Sequence, residues 1–328
     1  MDKRGLLDLM ICRIPGLSVS ERVLLGEKFD REDELSILSK RDIEKILNRP
    51  MSRYSWAMED IRSRAERDFA LSRLRGIAYV PIVSPAYPPL LREIWDPPAL
   101  LFYRGTLPAP DKPMAAIVGT RNPTPPAAAQ AYEIARDLAA AGVPVVSGLA
   151  LGIDAMAHRG ALEGGGPTLA VLGSAPDQVY PSSNRVLARR ILESGGALLS
   201  EYPPETGPAK WRFPARNRII SALARGTLIA EAPANSGALI TARFALEQGR
   251  DLWVSRAGMA SPRGEGCRNL AGDGAGVLGS AGEILEEWGI IVKEKSGVPI
   301  PGGEDPSAGT ALASSLARSL NITWWGEK

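Results

Sequence analysis

The sequence predicts an α/β fold with a mostly parallel sheet, preceded by a small all-helical domain. Between about residues 113 and 292, short apolar runs end in glycine or a polar residue and alternate with alanine-rich stretches of helical spacing. Such runs are typical of strands that are covered by helices on both faces. Before about residue 75 the chain is dense in charge, poor in glycine and apolar at helical intervals, which predicts a bundle of short helices.

The predicted helical domain covers residues 1 to 75. Its apolar residues recur at helical spacing over residues 35–47 and again over residues 56–61. Residues 14–17 (Ile-Pro-Gly-Leu) lie between two helical patterns, where a glycine hairpin could present backbone N–H groups to nucleic-acid phosphates. The alternative is a plain helix–helix turn, which the absence of a second glycine favours.

A proline-rich segment opens the second predicted domain, which covers residues 76 to 295. Prolines at 85, 88, 89, 97 and 98 exclude long helices there and favour extended chain. The predicted strands lie at residues 114–118, 143–146, 168–172, 197–200, 227–230 and 251–254, and the predicted helices include 127–141, 185–194 and 238–248. Repeated strand–loop–helix order predicts parallel strands, so a ligand is expected in the crevice beyond their carboxyl ends.

Composition excludes several classes of site. The chain has one histidine and two distant cysteines, so a histidine-rich metal cage, a zinc ribbon and a disulfide scaffold are not expected. Neither a P-loop nor a G-x-S-x-G elbow occurs. No apolar run approaches the roughly 18 residues that cross a bilayer. We therefore expect a cytoplasmic protein without a metal, a cofactor or a membrane partner.

Asp154 and His158 lie four residues apart at the start of a predicted helix and therefore share one of its faces. They could form a catalytic Asp–His pair. Alternatively, the carboxylate binds backbone donors at the helix N-terminus, where the dipole favours it, and a neighbour satisfies the histidine. The second interpretation is favoured because no nucleophile with an obvious base accompanies the pair.

Three strand ends carry small, hydroxylated or cationic residues that suit an anion. They are Gly119-Thr120-Arg121, Ser147-Gly148 and the turn Asn235-Ser236-Gly237. Arg121 should project from its loop over the sheet, and the turn at 235–237 precedes a helix whose first N–H groups can cradle an anion. Because parallel strands end at the same edge, all three segments are expected to face one crevice.

Cations and aromatic rings are interleaved between residues 210 and 218, in a predicted loop before an apolar helix that begins near Ile219. Residues 185–225 hold eight basic side chains against three acidic ones, an excess larger than the net +2 of the whole chain. Phosphates can pair with such cations while bases stack on the rings, as in single-stranded nucleic-acid sites. The alternative is a solvated turn whose aromatic rings pack into the core.

The order of these motifs resembles the DprA (Smf, DNA-processing protein A) family. The similarity covers about residues 76–290. Its main blocks are Gly119-x-Arg121, Ser147-Gly-Leu-Ala-x-Gly-Ile-Asp-x-x-Ala-His158, Tyr180-Pro181, Ser200-Glu-Tyr-Pro203, Phe213-Pro-x-Arg-Asn-Arg218 and Ser236-Gly-x-Leu-Ile-Thr241. The helical start is similar to the family's N-terminal SAM-like or helix-hairpin-helix module.

The resemblance implies an extended Rossmann-like domain that binds single-stranded DNA with little sequence preference. It also implies a homodimer that helps to load RecA onto DNA in natural transformation or recombination, with no catalytic residue and no cofactor. The residues implied to contact DNA are Arg121, Lys210, Phe213, Arg216 and Arg218, with Ser147, Gly148 and residues 235–237 completing the wall. Many members carry a C-terminal winged helix; here residues 296–328 are expected to form only a linker and a short tail.

A second function is compatible with the predicted fold, that of a Rossmann-like nucleotide phosphoribohydrolase of the lysine-decarboxylase-like type. Such enzymes keep a Pro-Gly-Gly-x-Gly-Thr motif after a strand, whereas residues 301–303 (Pro-Gly-Gly) fall in the predicted linker. Glu201 or Glu231 would be the candidate base. A third possibility is a scaffold that binds only the recombinase.

Overall fold

A computed structural model describes residues 3–291, so the predicted linker and tail at 296–328 lie outside the described residues. Within that range, five helices precede a nine-stranded sheet that carries nine further α-helices. The first five are α1 (Lys3–Arg13), α2 (Val19–Lys28), α3 (Glu32–Ser36), α4 (Lys40–Leu47) and α5 (Met58–Leu74).

Local signals explain where two of these helices begin. Ser18 and Ser39 each cap a helix, and the carboxylate of the acidic residue three positions later accepts a hydrogen bond from the serine backbone N–H. The turn between α1 and α2 contains Gly16 at φ +73°, where the Tyr54 ring fills the space that a Cβ would need. The Gly16 carbonyl accepts a hydrogen bond of 2.7 Å from Arg49. These contacts favour the plain helix–helix turn for residues 14–17.

The nine strands form one sheet. They are β1 (Ala78–Pro81), β2 (Leu100–Gly105), β3 (Ala115–Val118), β4 (Val145–Ser147), β5 (Thr168–Val171), β6 (Ala197–Ser200), β7 (Gly226–Ile229), β8 (Asp251–Ser255) and β9 (Gly276–Leu278). Their spatial order is β1-β2-β6-β5-β4-β3-β7-β8-β9. The seven strands from β6 to β9 in this order are parallel, and β2 and β1 add an antiparallel edge. The predicted α/β fold with a mostly parallel sheet is confirmed.

Helices cover both faces of the sheet. They are α6 (Pro89–Arg92), α7 (Pro125–Ala140), α8 (Ile153–Glu163), α9 (Arg185–Glu193), α10 (Arg212–Leu223), α11 (Ala238–Glu247), α12 (Arg256–Ala260), α13 (Glu265–Gly272) and α14 (Ala281–Glu287), with a 3-10 turn at Ser182–Asn184. Alternate residues of β3 show the two layers. Ala115 and Ile117 pack with α7, α8 and α14, whereas Ala116 and Val118 pack with α10, α11 and α13.

The helical module shares its core with the sheet. Leu100 and Phe102 of β2 are buried among the residues of α1, α2 and α5, while Leu101 between them faces the core under α10. Ion pairs reinforce this contact, since Arg75 at the end of α5 binds Asp177 and also Glu205, at 2.7 Å. The five helices and the sheet therefore meet through both apolar packing and charge.

All six predicted strands are present, but the chain contains three more in the described range. β1 and β2 arise in the proline-rich segment, and β9 is a three-residue edge strand. The prediction of a loop over residues 210–218 was wrong from Arg212 onward, because α10 begins there rather than near Ile219. Pro214 is tolerated in the first turn, where a backbone N–H has no intrahelical partner to lose.

Candidate nucleic-acid interface

The order in which strands are added to the sheet reverses between β3 and β7, since β4, β5 and β6 follow on one side of β3 and β8 and β9 follow on the far side of β7. Such a switch point opens a crevice at the carboxyl ends of the two strands. Gly119 follows β3 at a point where a Cβ would lie 2.6 Å from Ile153 and 2.9 Å from the Glu231 carbonyl oxygen, so only glycine fits. Thr120 N–H donates to that carbonyl at 2.8 Å, and Ile153 N–H donates to the Thr120 carbonyl at 3.2 Å. The loop that carries Arg121 is therefore held between β7 and the start of α8.

Arg121 and Lys210 are exposed cations at this edge. Neither side chain has a hydrogen bond or an ion pair with any residue between 3 and 291. Arg121 lies close enough to the buried Arg216 for its charge to contribute to lowering the pKa of that group. Two cations without an internal partner are free to bind an anion from solution.

Arg216, unlike Arg121 and Lys210, is buried, and only 5% of it is exposed. Its guanidinium donates to the Gly148 carbonyl at 2.8 Å and also to the Val171 carbonyl. Burial lowers the pKa of Arg216 to about 10, against the attraction of Asp154. The structure thus places this predicted DNA contact beneath the surface, where it ties together the ends of β4 and β5.

Asp154 completes this buried group. Its carboxylate accepts hydrogen bonds from the backbone N–H of Gly148 at 3.1 Å and of Ala150 at 3.4 Å. Burial raises the pKa of Asp154, and the nearby Arg216 charge opposes that rise. A buried carboxylate with a cation and two backbone donors stabilises the loop after β4.

His158 has no catalytic partner among the described residues. Its Nδ1 lies 2.8 Å from the Thr168 hydroxyl, which itself donates to the Val145 carbonyl, so Nδ1 is the donor. Burial, aided by the charge of Arg216, lowers the pKa of His158 to about 3. The structural interpretation of Asp154 and His158 is confirmed by these contacts.

Arg218 is also engaged inside the protein. Two of its nitrogens bind the Glu201 carboxylate at 2.8 and 2.9 Å, and its Nε donates to the Asp96 carbonyl at 3.0 Å. Ser147 is buried as well, and its hydroxyl donates to the Ile117 carbonyl at 2.6 Å. A direct DNA contact by Arg216, Arg218 or the Ser147 hydroxyl stays a prediction that this geometry does not favour.

Aromatic rings line the crevice where β5 ends. The Phe213 ring packs on Gly173, where a Cβ would come within 3.0 Å of it, and meets Tyr180 with ring centroids 5.4 Å apart. Tyr180 is 49% exposed. The sequence predicts a role in DNA contact for Phe213 but identifies Tyr180 only as part of a family motif, because Tyr180 is 33 residues away in the chain and joins Phe213 only in the folded state.

The turn at 235–237 begins α11 near the same edge. The Ser236 hydroxyl accepts a hydrogen bond of 3.2 Å from Ala238 N–H, which uses part of the predicted anion cradle within the protein. Asn217 of α10 donates to the Gly237 carbonyl at 3.4 Å, linking the turn to the helix that carries Phe213. Asn235 and Gly237 are exposed and remain accessible.

The two glutamates proposed as bases for a hydrolase are already bonded. The Glu231 carboxylate is fully buried and accepts hydrogen bonds from Thr124 N–H at 2.7 Å, from the Thr124 hydroxyl at 3.0 Å and from Ser261. Glu201 pairs with Arg218. Both carboxylates therefore already accept hydrogen bonds from groups of the protein itself. Among residues 3–291, no helix is long and apolar enough to span a membrane.

Comparisons with known proteins show the family to which the chain belongs. The family model described as DNA recombination-mediator protein A matches residues 78–289. The chain belongs to this family. The matched range runs from β1 to just past α14 and contains every residue of the candidate interface.

Members of the family are similar in sequence and in fold. The DNA processing protein DprA of Bacillus subtilis is 39% identical over 231 residues, which are 70% of this chain and 77% of that protein. The X-ray structure of DprA from Streptococcus pneumoniae matches 87% of this chain and 94% of that one, with a TM-score of 0.66 and 35% identity. A DprA structure from Helicobacter pylori, described by its single-stranded DNA binding mode, matches 65% of this chain and 95% of that one, with a TM-score of 0.58 and 30% identity.

Proposed function

We propose that the protein binds single-stranded DNA, with little sequence preference, in the crevice at the carboxyl ends of β3 to β6. The observation that carries this proposal is the pair of exposed cations, Arg121 and Lys210, that have no partner within residues 3–291 and flank the Phe213–Tyr180 ring pair. Cations bind phosphates of any sequence, and rings stack with any base. The similarity to the Helicobacter pylori protein supports the same ligand.

The proposal extends to a role in recombination. We propose that the protein acts as a cytoplasmic homodimer that passes single strands to RecA; the match to the recombination-mediator family supports the role in recombination. In this role the protein binds without catalysing a reaction, in keeping with the engaged state of Glu201 and Glu231. Loading is tested by RecA filament formation on strands precoated with single-strand binding protein, with and without the protein.

The DNA site is tested by fluorescence anisotropy with a labelled oligodeoxythymidine over a range of salt concentrations. The Arg121→Ala/Lys210→Ala protein should bind more weakly, and its slope of log K against log salt should be smaller by about 1.4, because each phosphate contact on a single strand contributes roughly 0.7. Little change is expected when the oligomer is replaced by one of deoxycytidine.

A matched control variant removes two positive charges outside the crevice. Arg189 and Arg243 are exposed arginines that pair with a glutamate one helical turn away. The Arg189→Ala/Arg243→Ala protein should bind DNA as the wild type does. Equal losses in both double variants would mean that net charge, and not the crevice, governs binding.

A further inference from the structure

A second aromatic cluster lies beside the candidate interface, in the segment between β6 and α10. Tyr202 and Trp211 meet edge to face, with ring centroids 6.2 Å apart and planes at 88°. The Arg212 guanidinium stacks over both rings, 4.6 Å from the centroid of Tyr202 and 5.1 Å from that of Trp211. Arg212 also donates a hydrogen bond to the Gly207 carbonyl, which fixes the guanidinium beneath the indole.

This support orients Trp211 without burying it. Trp211 remains 63% exposed, although the burial of an indole would contribute much free energy to folding. An exposed ring held by a cation and a second ring loses little conformational entropy when a planar ligand stacks on it. Such an arrangement is typical of a binding surface.

The position of Trp211 indicates the ligand. Lys210, the unpaired cation of the interface, precedes it, and Phe213 follows it two residues later at the end of β5. The crevice therefore runs from Arg121 at β3 to Trp211 near β6, across three strand spacings or roughly 14 Å. Cations along this line can pair with phosphates while the exposed ring takes a base.

We propose that Trp211 is a base-stacking platform, supported by Arg212 and Tyr202, that extends the DNA site to the β6 end of the crevice. This inference rests on the proposed function, since it assigns one nucleobase of the bound strand to the exposed indole. Trp211 is the residue that contacts the base, and Arg212 is a positioning residue that holds the indole in place.

The test compares two oligomers of equal length and charge, an oligodeoxythymidine and one whose central nucleotides are abasic. The wild type should bind the thymidine oligomer more tightly, on the order of 10-fold. Trp211→Ala should weaken binding of the thymidine oligomer by a similar factor and leave the abasic oligomer unaffected, so the discrimination between the two shrinks.

Trp95 supplies a matched control. It is a fully exposed tryptophan between α6 and β2, followed by the acidic Asp96 instead of flanked by cations. Trp95→Ala should keep the affinity and the discrimination of the wild type. In a second measurement, Trp211→Phe should retain most of the affinity but lose part of the fluorescence quenching that DNA causes, whereas Trp95→Phe should quench as the wild type does.

Two outcomes overturn the inference. They are unchanged discrimination between the oligomers in Trp211→Ala, whether both affinities stay the same or fall equally, and full quenching in Trp211→Phe. Each leaves the proposed function intact if Arg121→Ala/Lys210→Ala still weakens binding. Failure of the wild type to bind either oligomer at low salt would instead reject the proposed function itself.

Discussion

Two layers of basic side chains lie at the same edge of the sheet and differ in what they bind. In the outer layer, Arg121 and Lys210 are exposed and have no partner within the described range. In the inner layer, Arg216 and Arg218 bind carbonyls and carboxylates of the protein itself. A high local density of basic residues therefore does not show how many of them are available to a ligand, because some are needed to hold the loops that present the others.

The largest expected effect lies in the inner layer. Arg216→Ala leaves two buried carbonyls without their donor and removes the positive charge that offsets the burial of the Asp154 carboxylate, so the free energy of unfolding should fall by about 3–5 kcal/mol. Urea denaturation measures this, with Arg243→Ala as the control, for which an exposed helical pair predicts less than about 0.5 kcal/mol. If Arg216→Ala were as stable as the wild type and lost only DNA affinity, Arg216 would belong to the outer layer.

A smaller effect should appear as a pH dependence of stability. Burial holds the pKa of His158 at about 3 in the folded protein, against about 6.5 in the unfolded chain. The unfolded chain therefore binds the extra proton, and stability is lost as the pH falls from 6.5 towards 3, by up to about 1.4 kcal/mol per pH unit. Above pH 6.5 both states are neutral and this contribution is constant.

His158→Gln isolates that contribution. Other titrating groups are common to both proteins, so the difference in unfolding free energy between wild type and variant should change between pH 7 and pH 4.5 and stay flat from pH 7 to pH 8. Urea denaturation at each pH measures it. Parallel curves across the whole range would show that His158 is protonated equally in the folded and unfolded states.

The smallest effect on stability is expected in the outer layer. Arg121→Ala removes a side chain without internal partners, so the free energy of unfolding should change by less than about 0.5 kcal/mol while DNA affinity falls. The same urea series measures the first quantity, and anisotropy measures the second. A loss of stability comparable to that of Arg216→Ala would remove the distinction between the layers.

Most of the sheet could be predicted from the sequence, because strands covered on both faces appear as uninterrupted apolar runs. The strands that were missed are the two edge strands, β1 and β9, and β2, which lies next to β1. Prolines between β1 and β2 obscured that pair, and β9 has only three residues, the first of them an exposed glycine. An edge strand needs neither a long run nor two apolar faces, so its sequence carries little signal.

The candidate site was only partly predictable for a different reason. Arg121 and Lys210 could be identified from a strand end and a basic segment. The burial of Arg216 depends on where α10 begins, since a helix from Arg212 places Arg216 on the same face as the buried Ile219, Ile220 and Leu223. The pairing of Phe213 with Tyr180 needs the fold itself, because Phe213 lies in the first turn of α10 and Tyr180 lies in the loop after β5.

Successive side chains of β2 point into two different cores, which limits where the chain can be cut into fragments that fold. Similarity to the family model begins at residue 78, but Leu100 and Phe102 belong to a core that is otherwise built by the helices before it. A fragment cut at that border would expose both side chains to water and leave Asp177 and Glu205 without Arg75. The range that the family model matches is thus smaller than the unit that folds, and recombination between homologous genes at that border would break a core apart.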